Sequence, residues 1–443
     1  MCATIPRNII LITIDCLRAD AVGCIRGGNL TPNIDKLARE SLVFTKAFTN
    51  GPGTPQAFPA ILTSTYLFMH ETIYLEPWYI TISEILQKHG YRTVAFHSNP
   101  YLSRAFGWNK GFQEFYDFLY EIALKKQKRI VNIASSVFNR LLDKYALLES
   151  LGQRFSCLLF YKKSLPYYDA GLITKYAIEW LERSKRRKFF MWIHYMDPHF
   201  PYAPPKPWLR SFKRREEALL FNYISGDVKI LRQLYEDEVR YVDSCIGELL
   251  DYMDRRKMLD ETLVVITADH GEAFAEHGSI QHRFDILYNE TLHVPLIIYG
   301  ATITGRSYNA VQLLDLAPTI LALCDIDKPF SFMGETLIDN EQETVKHGII
   351  FSESANHDLH SYKFNYSRFL ISCIYWPWKL IYDSQKGVKL FNLERDFEER
   401  DDLSIEREDI VRELMKLVRK HMSWERKKRL IIKLRYYRRR KFR

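Results

Sequence analysis

The chain has 443 residues, 47% of them hydrophobic and 14% aromatic, enough to bury more than one core. Its net charge of +9 is local: residues 424–443 hold eleven Lys/Arg and one Glu, so they carry +10 and leave −1 for the rest. The body therefore lacks the basic excess of a nucleic-acid binder, and no run approaches the ~18–20 apolar residues of a membrane-spanning helix.

Seven cysteines (Cys2, Cys16, Cys24, Cys157, Cys245, Cys324, Cys373) are odd in number, scattered and without a CxxC pair. They read as reduced thiols, not as a disulfide framework or zinc site. Residues 1–7 pass into the first strand without the charged leader, apolar stretch and cleavage site of a signal peptide. Together these predict a cytoplasmic protein.

In chain order, Asn8 to Asp15 (NIILITID) is an apolar, β-branched run stopping at a carboxylate. Such a run reads as a strand buried on both faces of a parallel sheet. Thr31-Pro32 opens a helix, with threonine as N-cap and proline first inside. A second helix opens at Gly53-Thr54-Pro55, again with threonine read as the N-cap. Ile80 to His89 reads as an amphipathic helix and Thr93 to Phe96 as a strand. Residues 117–188 are basic, with helical rather than strand patterning, and read as an insertion or cap over the sheet.

Lys188 to His194 is another buried strand, followed by the polar cluster His194, Asp197, His199. A helix from Leu231 to Arg256 leads into Thr262 to Glu272 (TLVVITADHGE), a second apolar run ending in Asp269 and His270. Val294 to Tyr299 and Leu313 to Cys324 follow as strand and helix. This alternation predicts an α/β doubly wound, mostly parallel sheet flanked by helices. The domain spans 1–330. Residues 331–405 read as a small α+β subdomain with antiparallel strands at Trp378–Tyr382 and Lys389–Asn392. Residues 406–443 read as a helix followed by a basic tail.

Open parallel sheets bind ligands outside the carboxyl ends of their strands. Asp15, Asp269 and His270 fall there, and two carboxylates with an imidazole suit a divalent metal. Thr54, at a helix N-terminus, faces free N–H groups able to hold an anionic group. A neighbouring metal makes such a hydroxyl a nucleophile.

The order of these segments resembles the sulfatase branch of the alkaline phosphatase superfamily, over roughly residues 8 to 405. Its landmarks are IILITIDCLRAD, TPNIDKLARE, GYRTVAFHSNP, FFMWIHYMDPHFPYAPP, TADHGE, LYNETLHVPLIIYG, and WKLIY with LFNLERD. The resemblance implies an alkaline phosphatase/sulfatase-like fold and metal ligation by Asp15, Thr54, Asp269 and His270. It implies catalytic roles for Thr54, His199 and His282, and substrate contacts from Asn99, His97 and His194. One divalent ion is implied, with Mn, Mg, Ca and Zn not distinguished.

The departures are informative. Where sulfatases carry the formylglycine motif Cys-x-Pro-x-Arg, this chain has Thr54-Pro55-Gln56-Ala57-Phe58, and no cysteine lies between Cys24 and Cys157. Formylglycine is therefore not expected. Cys16 replaces a second aspartate, and Ser98 stands near the sulfatase lysine. The expected activity is hydrolysis or transfer of phosphate esters, ahead of sulfate esters, through a covalent threonyl intermediate. Alternatives are a sulfuric ester hydrolase without formylglycine, a two-metal phosphodiesterase using Asp197 and His199, and a catalytically silent scaffold. The substrate is expected to be a small or glycan- or lipid-linked anionic ester. Residues 424–443 interleave cations with Leu, Ile, Tyr and Phe, and are expected to meet an anionic membrane surface at its inner face. Oligomeric state is left open.

Overall fold

The computed structural model describes residues 6–119, 167–184, 187–224, 226–339, 343–345 and 348–441. Most of the expected 117–188 insertion lies outside these residues. The part within them includes a helix at Ala170–Arg183.

Among the described residues, eight strands form one sheet: β1 (Asn8–Ile14), β2 (Ser41–Phe48), β3 (Arg92–Phe96), β4 (Glu114–Tyr116), β5 (Phe189–Tyr195), β6 (Thr262–Ala268), β7 (His293–Tyr299) and β8 (Gly305–Gln312), in the order β4-β3-β5-β1-β6-β7-β2-β8. Every residue of β1, β5 and β6 is buried, as expected for central strands covered on both faces. β1 pairs in parallel with β5 on one side and β6 on the other. Asp15 and Asp269 follow the paired residues Ile14 and Ala268, so the register itself brings them side by side. β7 alone is reversed, antiparallel to both neighbours. The chain leaves β6 through the site loop and returns after only a four-residue helix, Asn289–Leu292. A parallel neighbour is usually reached through a full helix that carries the chain back to the other end of the sheet; here the connection is loop almost throughout.

A second sheet holds β9 (Ile350–His357), β10 (Phe364–Tyr375), β11 (Trp378–Asp383) and β12 (Gly387–Asn392), antiparallel in the order β12-β11-β10-β9. Its seam with the large sheet is apolar, joining Phe48, Leu287 and Leu292 to Ile350, Leu370, Ile374 and Phe391. One ion pair is sealed behind that seam. Lys379 lies 2.6 Å from Glu399 with both side chains fully buried, and it also donates to Asn289. Removing one partner of such a pair strands the other's charge, at a cost of about 3–5 kcal/mol. Lys379→Met is expected to lower the free energy of unfolding by that order, read as a fall in the urea midpoint, and an unchanged midpoint would refute the pair's structural weight.

The C-terminus differs from expectation. Glu408–Lys441 is one continuous helix, so the basic residues are its second half and not a separate tail. Its inner face buries Leu414, Val418 and Ile432. Lys428 and Arg435 lie over Phe330 and Lys433 over Trp78, while Arg429 pairs with Glu71. The long cationic stems thus cover apolar surface while their heads reach polar partners or solvent.

Candidate active site

The helix Thr54–Thr63 presents Thr54 as its first residue; the N-cap is Gly53, not Thr54. No side chain caps this helix, so the Thr54 hydroxyl is not consumed by its own backbone. The turn before it needs glycine: a Cβ on Gly51 would sit 2.5 Å from Gln56 Cβ. The Thr54 Oγ1 atom faces Asp269 Oδ2 at 3.2 Å and Asp15 Oδ2 at 3.5 Å. Asn99 donates to Asp15 Oδ2 at 2.9 Å and to Thr54 Oγ1 at 3.3 Å.

His270 completes the cluster. Its Nδ1 is 2.9 Å from the Gly271 carbonyl, so that nitrogen carries the proton. Its Nε2 then points a lone pair at Asp15 Oδ1 (3.6 Å) and Asp269 Oδ2 (3.5 Å), and has no hydrogen-bond partner among the described residues. Burial, and then His282, push the His270 pKa down to about 4. Burial and the Asp15 charge push Asp269 up to about 8. Burial alone would raise Asp15, but a hydrogen bond with His194 and the nearby His199 and His270 hold it well below the carboxylate range. A neutral imidazole aimed at two buried carboxylates fits a divalent metal by donor type and charge.

Beyond this cluster lies a cleft of about 600 Å³, lined by Thr54, Asn99, Tyr101, Tyr167, His199 and His282 among others. His282 Nδ1 is 3.0 Å from Glu272 Oε1, and Glu272 Oε2 accepts from Tyr202. Burial alone would lower His282, but the Glu272 carboxylate raises it to about 9, so it is an imidazolium at neutral pH. His199 Nδ1 donates to the Phe200 carbonyl, and burial lowers its pKa. The two rings stand 5.1 Å apart.

Thr54, Asn99, His199 and His282 therefore share the cleft, with Asp15, Asp269 and His270 at its floor. Two expected substrate contacts lie elsewhere. His194 is fully buried behind Asp15, with Nε2 on Asp15 Oδ2 (3.3 Å) and Nδ1 on Thr13 (2.9 Å). His97 stacks on Trp192 and has no hydrogen-bond partner among the described residues. Asp197, the candidate for a second metal, accepts from the Ala170 N–H and does not line the cleft. His277 stacks flat on Tyr288, away from the cleft. Cys16 lies 3.1 Å from Asp15 and 3.5 Å from His282; burial and the surrounding carboxylates keep it a thiol. Arg18 ties the loop after β1 to that after β6, bonding Asp20, the Glu272 carbonyl and Glu276. Glu272 is the functional residue that sequence reasoning missed. It ends the DHGE motif, but its partner stands ten residues further on.

A mostly parallel eight-stranded sheet, flanked by helices and bearing its carboxylates at the ends of β1 and β6, has the fold of the alkaline phosphatase superfamily. The chain belongs to the sulfatase family: the Sulfatase family model matches residues 7–326. It is similar to the multifunctional alkaline phosphatase superfamily protein PehA of Trinickia caryophylli, at 23% identity over 421 residues (75% of this chain, 76% of PehA). It also resembles an arylsulfatase of Clostridium perfringens, at 24% over 450 residues and 88% of each chain. Among solved structures, the phosphonate monoester hydrolase of Agrobacterium radiobacter matches with TM-score 0.68 and 17% identity, covering 96% of both chains. That of Silicibacter pomeroyi matches with TM-score 0.67 and 19% identity, covering 95% of both. The chain is accordingly a sulfatase-family hydrolase.

Proposed function

We propose that the protein cleaves phosphate esters, singly charged diesters foremost, with Thr54 as nucleophile. The observation that carries this reading is the Thr54 hydroxyl: uncapped, open to the cleft, and within 3.5 Å of two buried carboxylates. Thr54 Oγ1 loses its proton to water in the open cleft and attacks phosphorus. As the Oγ–P bond forms, the bond to the alcohol breaks, and the departing oxygen takes a proton from His282. Glu272 keeps His282 charged for that step. Neutral His282 then accepts a proton from water, which attacks phosphorus; the Oγ–P bond breaks and Thr54 regains a proton from water, while an acceptor alcohol in place of the attacking water makes the reaction a transfer. A divalent ion held by Asp15, Asp269 and His270 beside Thr54 would acidify the hydroxyl and offset charge on the phosphoryl oxygens.

The cleft lining favours a monoanion. Among the described residues it contains no lysine and one arginine, Arg283, which is 3.1 Å from Asp285. Phosphonate monoesters, named for two of the structural neighbours, carry the same single charge. The test is turnover of bis-p-nitrophenyl phosphate, p-nitrophenyl phosphate and p-nitrophenyl sulfate. The diester is expected to be fastest. Fastest cleavage of the sulfate would replace this reading with a sulfuric ester hydrolase, and no turnover with no bound metal would favour a scaffold.

We also propose that the C-terminal helix rests on an anionic membrane. Its outer face exposes Trp424, Leu430, Ile431, Leu434 and Tyr437 among its basic residues, the pattern of an interfacial helix. Wild type should float with anionic liposomes at low salt and less at high salt. Equal flotation by Ile431→Ser/Leu434→Ser would overturn the assignment.

A further inference from the structure

A second cluster of metal-binding groups lies under the C-terminal helix, away from the cleft. Glu353 comes from β9, and His421 and Glu425 come from successive turns of Glu408–Lys441. All three are buried, at 0%, 6% and 1% exposure. His421 Nε2 is 2.6 Å from Glu353 Oε1 and 3.4 Å from Glu425 Oε2, and the three ligand atoms lie within 4.8 Å of one another.

Each residue is held in place independently. The other Glu353 oxygen accepts from the Phe68 N–H at 2.8 Å. The His421 ring is stacked on Phe351 at 3.9 Å and met edge-on by Tyr66. Spacing i, i+4 puts His421 and Glu425 on one helix face. Yet neither Glu425 oxygen has a hydrogen-bond partner among the described residues, and neither carboxylate is paired there with Lys or Arg. A buried carboxylate in that state is costly. With both carboxylates ionised, even a protonated His421 leaves this pocket one negative charge in excess, whereas a divalent cation with neutral imidazole balances it.

We propose that Glu353, His421 and Glu425 form a structural site for a small divalent transition metal of the Zn²⁺ type, which fastens the C-terminal helix to the antiparallel sheet. One imidazole and two carboxylates are a Zn²⁺ donor set, and ligands 2.0–2.1 Å from a tetrahedral ion stand about 3.3 Å apart. The His421–Glu425 edge already has that length; the His421–Glu353 edge opens by several tenths of an ångström on loading. The proposal does not rest on the chemistry of the cleft, and its failure would leave that reading untouched.

The experiment isolates this site by removing the other one. Full-length Asp15→Asn/Asp269→Asn protein, stripped with chelator and dialysed against Zn²⁺, should still bind one equivalent by elemental analysis. Adding His421→Gln or Glu425→Gln should weaken that binding at least tenfold, and each addition should erase the rise in melting temperature that Zn²⁺ gives. The two substitutions are independent, so either one that folds is decisive. Absence of a Zn²⁺ equivalent in the Asp15→Asn/Asp269→Asn protein would overturn the proposal and leave a proton shared between Glu353 and Glu425. Unchanged Zn²⁺ affinity in the folded His421→Gln or Glu425→Gln protein would overturn it equally.

Discussion

Thr54→Ala is expected to lower kcat/KM for a phosphodiester by roughly 10³–10⁶-fold, the range seen when an enzyme loses its nucleophile. The side chain is 5% exposed, and its hydroxyl bonds only groups of the cleft floor in the contacts described above. Its loss therefore removes chemistry without removing a helix cap, and the melting temperature should stay near wild type. Thr54→Ser keeps the oxygen and should keep part of the activity. A stoichiometric burst of nitrophenol from wild type, absent from Thr54→Ala, would register the covalent intermediate. Activity of Thr54→Ala within tenfold of wild type would end the nucleophile assignment.

Asp269→Asn is expected to abolish metal loading in the cleft and turnover with it. The side chain supplies one of two buried carboxylates facing the unpartnered His270 Nε2, and an amide there halves the cluster's negative charge. A metal present at a hundred times its dissociation constant stabilises the folded state by about 2.7 kcal/mol. Wild type should show a stabilisation of that order on adding Mn²⁺, and Asp269→Asn should show almost none from this site. Without metal the order reverses. Asp269→Asn should melt above stripped wild type, because an amide escapes the cost that burial and the neighbouring Asp15 charge impose on that carboxyl group. Equal Mn²⁺-induced shifts in the two proteins would exclude Asp269 as a ligand.

The parts of this site that could be read from sequence share one property: the backbone alone places them. Asp15, Asp269 and His270 follow buried strands directly, and Thr54 opens a helix, so position along the element fixes their location. His97 and Asn99 were not separable in that way. Two residues apart, they would share a face if β3 continued. Instead Asn99 starts a turn, accepting from the Tyr101 N–H, which aims its amide at Asp15 while His97 stays packed on Trp192. Glu272, Glu353 and His421 act through partners that only tertiary packing supplies. β2 and β8 carry no clear strand signal: Thr45-Lys46 interrupts the apolar pattern of one, and the other opens on Gly305-Arg306-Ser307 with no apolar run. β7 was found, but its direction depends on how the chain returns from the site loop, which no strand pattern encodes.

The pairing of β1 with β5 and β6 also bears on how the molecule comes into being. A ribosome making this chain releases β1 well before either of its neighbours, which lie far downstream, beginning at Phe189 and Thr262. Contacts so distant along the chain form slowly, and an apolar strand without neighbours is a hazard for aggregation while it waits. Asp15 has no partner carboxylate until residue 269 has been synthesised. The carboxylate pair of the cleft therefore assembles only after β6 has been made and the centre of the sheet has closed, and the nascent chain depends until then on whatever shields its first strand.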